Sequence, residues 1–217
     1  MNDEKYLYLV FSVTPYKVGK IIRVLTNYNY NHVSVSLSPD LKKLYTFARR
    51  YKNVPFCGGF VTESPLRFKN KGRLADIKVF KIPVSDKSFK GASDFLFSVK
   101  SAPDLYVYNT LSALFSLFRL KIRIPQSFTC IEFASEMLSR AVPEENFNPN
   151  KFYSIKDLGK LLEKYTVYEG SVLPFLDENL SWGHDLFSEE KTFLEGLRLS
   201  ISSNLIMLKS LFSKSRQ

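Results

Sequence analysis

The sequence predicts an α+β protein, with a small antiparallel sheet packed by helices and an amphipathic helical extension at the C-terminus. Three observations support this fold class. The first half of the chain holds short aromatic and β-branched runs of alternating polarity, which are typical of strands. The second half has apolar residues spaced by three or four, which is typical of helices. The length of 217 residues, 45% of them hydrophobic, is enough for a self-sufficient core.

Strands are predicted first along the chain, with one early helix between them. Residues 6–13 are aromatic and β-branched and form the first strand. Thr14 then precedes Pro15 as an N-cap precedes proline at the first helical position, so a helix follows. Its apolar face comprises Val18, Ile21, Ile22 and Leu25. Further strands are predicted at 32–37, 43–49, 60–62 and 75–84, the first two of these as a hairpin.

Helices dominate the rest of the chain. They are predicted over residues 85–99, 106–120, 130–140 and 154–165, with a return to the sheet at 166–172. The tail carries a helical stripe of Leu194, Leu197, Ile201, Leu205, Leu208 and Phe212. We therefore divide the chain into a domain at 1–180 and an extension at 181–217, with a boundary near Ser181. The stripe packs on the same domain or, alternatively, binds a partner or a membrane surface.

The net charge of +10 favours anionic partners. Nucleic acid is the weakest of these, because no aromatic platform, zinc knuckle or helix-turn-helix signature is present. The candidates for binding an anionic substrate or membrane surface are Arg49, Arg50, Arg67, Lys69, Lys71 and Arg73. A solvated basic face is the alternative interpretation of the same residues.

The first residues are acidic and run directly into a strand, unlike a signal peptide, so we expect a cytoplasmic protein, with peripheral membrane contact left open. Both cysteines are then expected to be reduced. Two histidines and two cysteines are too few for a typical zinc site, so neither metal nor cofactor is expected.

Cys130 is the candidate nucleophile. Thr129 and Glu132 match a capping box, which makes Cys130 the first residue of a helix, where the positive end of the dipole stabilises a thiolate. The alternative is a buried structural thiol. His32 begins a strand and is the better candidate base, whereas His184 fits surface capping and Cys57 a structural role.

Together these features resemble the circularly permuted papain-like thiol hydrolases of the permuted NlpC type, which include lecithin–retinol acyltransferase-like enzymes. In that group the histidine strand precedes the cysteine helix, as it does here. The resemblance covers roughly residues 6–172. The segments that carry it are 31–37 (NHVSVSL), 44–49 (LYTFAR), 58–61 (GGFV), 108–111 (YNTL) and 128–134 (FTCIEFA).

The resemblance implies a thiol hydrolase or acyltransferase, with Cys130 as nucleophile and His32 as general base. It also implies a polar residue that orients the imidazole, for which Thr46 is the candidate; if the position is Phe47, that member is absent. The substrate would be a peptide, a glycopeptide or a lipid ester. Two other hypotheses stay open: a non-catalytic binding module of the same shape, and a protein that binds membranes or partners through the tail.

Overall fold

A computed structural model describes residues 4–14, 23–24, 26–51, 53–54, 56–70, 73–176 and 189–213. Within these ranges the fold is α+β. The strands are β1 (Lys5–Ser12), β2 (His32–Ser36), β3 (Leu44–Arg49), β4 (Gly58–Glu63), β5 (Lys69–Asn70), β6 (Arg73–Leu74), β7 (Asp76–Val84), β8 (Val107–Tyr108), β9 (Ser127–Phe128) and β10 (Thr166–Ser171). The helices are α1 (Asp86–Ser101), α2 (Thr110–Phe115), α3 (Cys130–Ala141), α4 (Ile155–Leu162) and α5 (Phe193–Ser213).

The main sheet is larger than the sequence predicts. Among the described residues it has eight strands in the order β10-β7-β1-β2-β3-β4-β8-β9, with β5 and β6 forming a separate hairpin. The expectation of a small, wholly antiparallel sheet is therefore wrong, because β8 and β9 add a parallel pair at one edge. These strands have two residues each, which is too short to show an alternating pattern.

Both faces of the sheet are covered, which explains why β1 is buried almost throughout. On one face, Leu7, Leu9 and Phe11 join a large core with α1, α3 and α4. On the other, Tyr8 and Val10 join a smaller core. Alternate residues of one strand thus enter two different cores. Phe133 of α3 sits within the aromatic centre of the larger core, 5.3 Å from Phe47 and 5.9 Å from Phe60 between ring centroids.

Most predicted elements are confirmed within a few residues of their expected ends. The exception is the buried helix predicted over residues 106–120. There the chain forms β8, then α2, and its leucines at 114, 117 and 120 are exposed. Asn109 separates the two elements, because its side chain accepts a hydrogen bond from Ser112 N at 2.9 Å and caps α2. In the early helix predicted after Thr14, Arg23, Val24 and Thr26 are helical. Its predicted apolar face (Val18, Ile21, Ile22 and Leu25) and the boundary near Ser181 lie outside the described residues.

The tail forms the predicted helix, α5, and it contacts the rest of the protein. Asn204 accepts a hydrogen bond from Thr110 Oγ1 at 2.8 Å and donates to the Phe56 carbonyl at 3.2 Å. Met207 is buried with Val107 and Ile124. The helix therefore docks beside β8, at the edge of the sheet that β9 completes.

Candidate functional site

His32 is the first residue of β2, and the alternation of that strand places Ser34 on the same face. The imidazole is 7% exposed and lies edge-on to Phe68, with 6.4 Å between ring centroids. Because β2 pairs with β1 on one side and β3 on the other, the backbone that carries His32 is held inside the sheet. The position of the ring is therefore set by the fold.

A buried carboxylate binds the imidazole. His32 Nε2 lies 2.9 Å from Glu63 Oε1, and Ser34 Oγ donates a hydrogen bond to the same carboxylate oxygen. Glu63 ends β4, and its side chain is fully covered. Charged groups are seldom buried unless they are paired, so this contact is a defining feature of the site.

Arg67 completes the buried charge cluster. Its Nη1 lies 2.8 Å from the second carboxylate oxygen of Glu63, and its Nη2 donates to the Arg49 carbonyl at 3.1 Å. The guanidinium follows Glu63 by four residues, in the single turn of 3₁₀ helix at Pro65–Phe68. The carboxylate is thus held between two cationic groups, the imidazolium and the guanidinium.

Cys130 begins α3, as the sequence predicts. The capping box is complete: Thr129 Oγ1 accepts from Glu132 N at 3.2 Å, and Glu132 Oε2 accepts from Thr129 N at 2.7 Å. Ser112 Oγ donates to the other oxygen of Glu132 at 2.6 Å. These contacts fix the start of the helix. The Cys130 side chain is 8% exposed and lies close enough to His32 to raise the pKa of the imidazole.

The charges around His32 favour its protonated form. Burial alone would lower the pKa of His32, but the negative charge of Glu63 and hydrogen bonds with Cys130 and Glu63 raise the pKa to about 9. Burial would raise the pKa of Glu63, but His32 and Arg67 lower it to about 2. The site therefore holds an imidazolium–carboxylate pair at neutral pH.

Tyr108 is a further neighbour of the thiol. Burial, followed by the charges of Cys130 and Glu132, raises the pKa of Tyr108, so its phenol keeps its proton. The ring packs against the larger core, and its Cβ lies 2.7 Å from where a Cβ on Gly58 would stand. Glycine at 58 is therefore required for Tyr108 to approach β4 so closely.

The orienting residue expected at Thr46 is not the one that binds the imidazole. Thr46 Oγ1 donates a hydrogen bond to the Val33 carbonyl at 2.7 Å, which ties β3 to β2. The imidazole bond comes instead from Glu63, a residue that the sequence analysis did not name. The alternation of β4 places Val61 and Glu63 on one face, but this pattern alone does not show that the face is buried.

The six predicted anion-binding residues do not form one free cationic surface. Arg67 is bound to Glu63, and Arg50 is bound to Asp104 at 3.3 Å and to the Pro103 carbonyl at 2.6 Å. The guanidinium of Arg67 is thus paired with a buried carboxylate, whereas Arg50 pairs with an exposed aspartate. Arg49 ends β3 and is half-buried, while residues 69 and 73 lie on the β5–β6 hairpin. Lys71 lies outside the described residues.

The remaining candidates add no second site. Cys57 is buried, and burial raises the pKa of its thiol. His184 lies outside the described residues. In the part of the chain that the structure describes, no group of three or more His, Cys, Asp or Glu side chains is placed to hold a metal ion. Within the same ranges, each helix is too short or too polar to span a bilayer.

No family model, curated protein or solved structure matches this chain.

Proposed function

We propose that this protein is a cysteine-dependent hydrolase or acyl transferase, with Cys130 as nucleophile, His32 as its proton-transfer partner and Glu63 as the residue that orients and charges the imidazole. One observation carries the proposal: the thiol at the start of α3 lies beside an imidazole that a buried carboxylate holds. A nucleophile, a base and a group that orients the base are the common requirements of thiol catalysis.

The proposed chemistry starts with the thiolate form of Cys130. The sulfur attacks the carbonyl carbon of an amide or ester, and the breaking of the C–N or C–O bond leaves an acyl thioester on Cys130. His32, whose pKa is raised to about 9, donates its proton to the departing amine or alcohol. Water or another acceptor then gives a proton to His32 and attacks the thioester, and the C–S bond breaks to release the thiolate, which restores the starting thiolate–imidazolium pair.

The start of α3 suits this chemistry in two ways. The positive end of the helix dipole stabilises an anionic sulfur at Cys130. The amides of the first turn have no partner within the helix, and in this mechanism the Cys130 amide donates to the developing oxyanion. Since Nε2 of His32 is occupied by Glu63, Nδ1 is the nitrogen left for the thiol.

The order of the elements supports a permuted papain-like arrangement. The histidine strand β2 precedes the cysteine helix α3 in the chain, and α3 packs in the larger core with Val33 and Val35 of β2. The resemblance to permuted NlpC-type enzymes is part of this proposal. It implies a peptide, glycopeptide or lipid-ester substrate.

A second candidate function is a non-catalytic binding module of the same shape. The observation in its favour is burial: His32 is only 7% and Cys130 only 8% exposed. In such a module the same polar cluster would serve stability, and the thiol would have no special reactivity.

The rate of alkylation by iodoacetamide, followed by peptide mass spectrometry across a pH series, tests the proposal. We expect Cys130 to react faster than Cys57 at pH 6, because Cys57 is buried with a raised pKa and serves as an internal control. His32→Ala should remove that advantage. A Cys130 that reacts no faster than Cys57, or equally in His32→Ala, would overturn the enzyme proposal in favour of the binding module.

Turnover is tested separately with a panel of fluorogenic amides and activated esters. The expected result is release of the fluorophore by the native chain, with an acyl adduct on the Cys130 peptide. Cys130→Ser is the control, and it should show neither turnover nor adduct. Equal turnover by the native chain and Cys130→Ser would exclude Cys130 as the nucleophile.

A further inference from the structure

The helix α5 presents an unusual apolar surface to solvent. Its members, which we call the leucine face, are between 37% and 75% exposed. They are Leu194, Leu197, Ile201, Leu205 and Leu208. They recur at three and four residues and form one stripe along about 20 Å of helix. A contiguous apolar stripe of this length marks an interaction surface in most proteins that carry one.

The leucine face is exposed because α5 docks through its other side. A Cβ on Gly196 would lie 3.2 Å from Val54 Cγ2, so the helix backbone approaches the protein closely there. Asn204 is hydrogen-bonded to Thr110 and Phe56, and Met207 is buried. Gly196, Asn204 and Met207 thus make the intramolecular contact, and the leucine face is left outside. In an amphipathic helix that only completes a core, the apolar stripe would instead face the protein.

Two cations border the leucine face. Arg198 and Lys209 line the same concave surface as Leu197, Ile201 and Leu205. They are eleven residues apart, which is about three helical turns, so both lie on the same side of the stripe. The one acidic residue of α5, Glu195, accepts hydrogen bonds from Thr192 N at 2.9 Å and Thr192 Oγ1 at 2.8 Å and acts as part of the helix cap.

We propose that the leucine face of α5, with Arg198 and Lys209 beside it, docks on an anionic lipid surface. Apolar side chains along one line, flanked by long cationic side chains, can insert among acyl chains while the cations reach the headgroups. The net charge of +10 acts in the same direction over longer distances. This inference concerns a different part of the molecule from the proposed catalytic site and does not depend on its chemistry.

Charge favours an anionic surface over a second copy of the chain as the occupant. Each copy would bring Arg198, Lys209 and a net charge of +10 to the contact. Like charges oppose the association of two copies, whereas an anionic surface neutralises them.

Flotation with phosphatidylcholine vesicles, with and without phosphatidylserine, tests the proposal. The native chain should partition onto the vesicles that contain phosphatidylserine, and raised salt should weaken the binding. The triple variant Leu197→Ser/Ile201→Ser/Leu205→Ser, which we call the leucine-face variant, should reduce partition of the protein onto these vesicles on the order of a hundredfold. Arg198→Gln/Lys209→Gln should reduce it about fivefold for each charge removed. All five side chains point outward, so circular dichroism and melting temperature should stay close to native values.

Leu161→Ser/Val167→Ser/Leu173→Ser is the matched control. It removes three apolar side chains that are also at least half exposed, from α4 and from around β10 at the opposite edge of the sheet. Its partition should equal that of the native chain, and so should that of Cys130→Ser. Equal binding to both kinds of vesicle, or native binding by the leucine-face variant, would overturn the proposal. Dimerisation in light scattering that the leucine-face variant abolishes, without vesicle binding, would assign the face to a second copy.

Discussion

Glu63 determines the electrostatics of the candidate site, because its carboxylate contacts both buried cations, His32 and Arg67. The pKa of His32 rises from an ordinary 6.5 to about 9, so its contribution to stability is complete below pH 6.5 and is lost as the pH rises through 9. The pKa of Glu63 falls from 4.5 to about 2, so its contribution is present above pH 4.5 and is lost as the pH falls through 2. The ion pair is therefore intact across the physiological range.

Glu63→Gln should lower the pKa of His32 more than Cys130→Ser does, because the charge of Glu63 is the largest influence that raises it. The measurement is an NMR titration of the imidazole protons, with His32→Gln to assign the resonance. Removing the carboxylate that faces the buried Arg67 should cost about 3–5 kcal/mol of stability. The double variant Glu63→Gln/Arg67→Met removes both charges, and it replaces Glu63→Gln in the titration if the single variant does not fold. A larger fall in Cys130→Ser would contradict this prediction.

At the scale of single residues, the sequence predicts the role of those residues that stand in a recognisable local pattern. Cys130 follows a capping residue, and His32 begins an alternating strand, so both are visible as candidates. Glu63 is 31 residues from His32, and only the pairing of β2 with β3 and of β3 with β4 brings it to the imidazole. The role of Arg67 depends on that of Glu63. Contacts that depend on strand register are not encoded in any local pattern.

At the scale of elements, α3 and α4 both begin with a capping box. Thr129 caps α3, and Ser154 caps α4, where Ser154 Oγ accepts from Asp157 N at 3.1 Å and Asp157 accepts from Ser154 N at 2.9 Å. Capping boxes are recognisable in sequence because all their members lie within four residues. The chain at 106–120 is apolar enough to predict a buried helix, but it forms a strand and a short capped helix, because pairing of β8 with β4 and β9 overrides local pattern.

The two capping boxes permit a matched comparison. Thr129→Ala and Ser154→Ala should each lower the free energy of unfolding by about 1 kcal/mol, because each leaves amides of the first helical turn without a partner. Only Thr129→Ala should slow the alkylation of Cys130, because only α3 carries the thiol at its start. Chemical denaturation and iodoacetamide kinetics measure the two effects. Equal slowing by Ser154→Ala would show that labelling follows global stability and not the local geometry at Cys130.

At the scale of the whole molecule, the elements differ in how much pairing and buried apolar contact attaches them to the rest of the protein. The strands β1 and β7 pair over eight residues, with β2 and β10 on either side of the pair, and α3 is buried against the aromatic core. The helix α5 is attached through a few hydrogen bonds and through Met207 and Leu211, and its leucine face is open to solvent. Local stability follows the number of buried apolar contacts, so α5 should open without unfolding of the sheet.

Hydrogen exchange followed by mass spectrometry measures this difference. Amides of α5 should exchange with deuterium well before those of α3, because undocking α5 exposes little apolar surface: the small cluster around Val107, Ile124 and Met207, and Val54 beneath Gly196. Met207→Ala should accelerate exchange in α5 and leave α3 unchanged, since the side chain that it removes is buried only between α5 and that cluster. If α5 and α3 exchange together in the native chain, or if Met207→Ala accelerates both, α5 belongs to the same cooperative unit as the sheet. A helix that opens independently can settle on a surface without disturbing the buried charges of the candidate site, so separate exchange of α5 is also what a docking role requires.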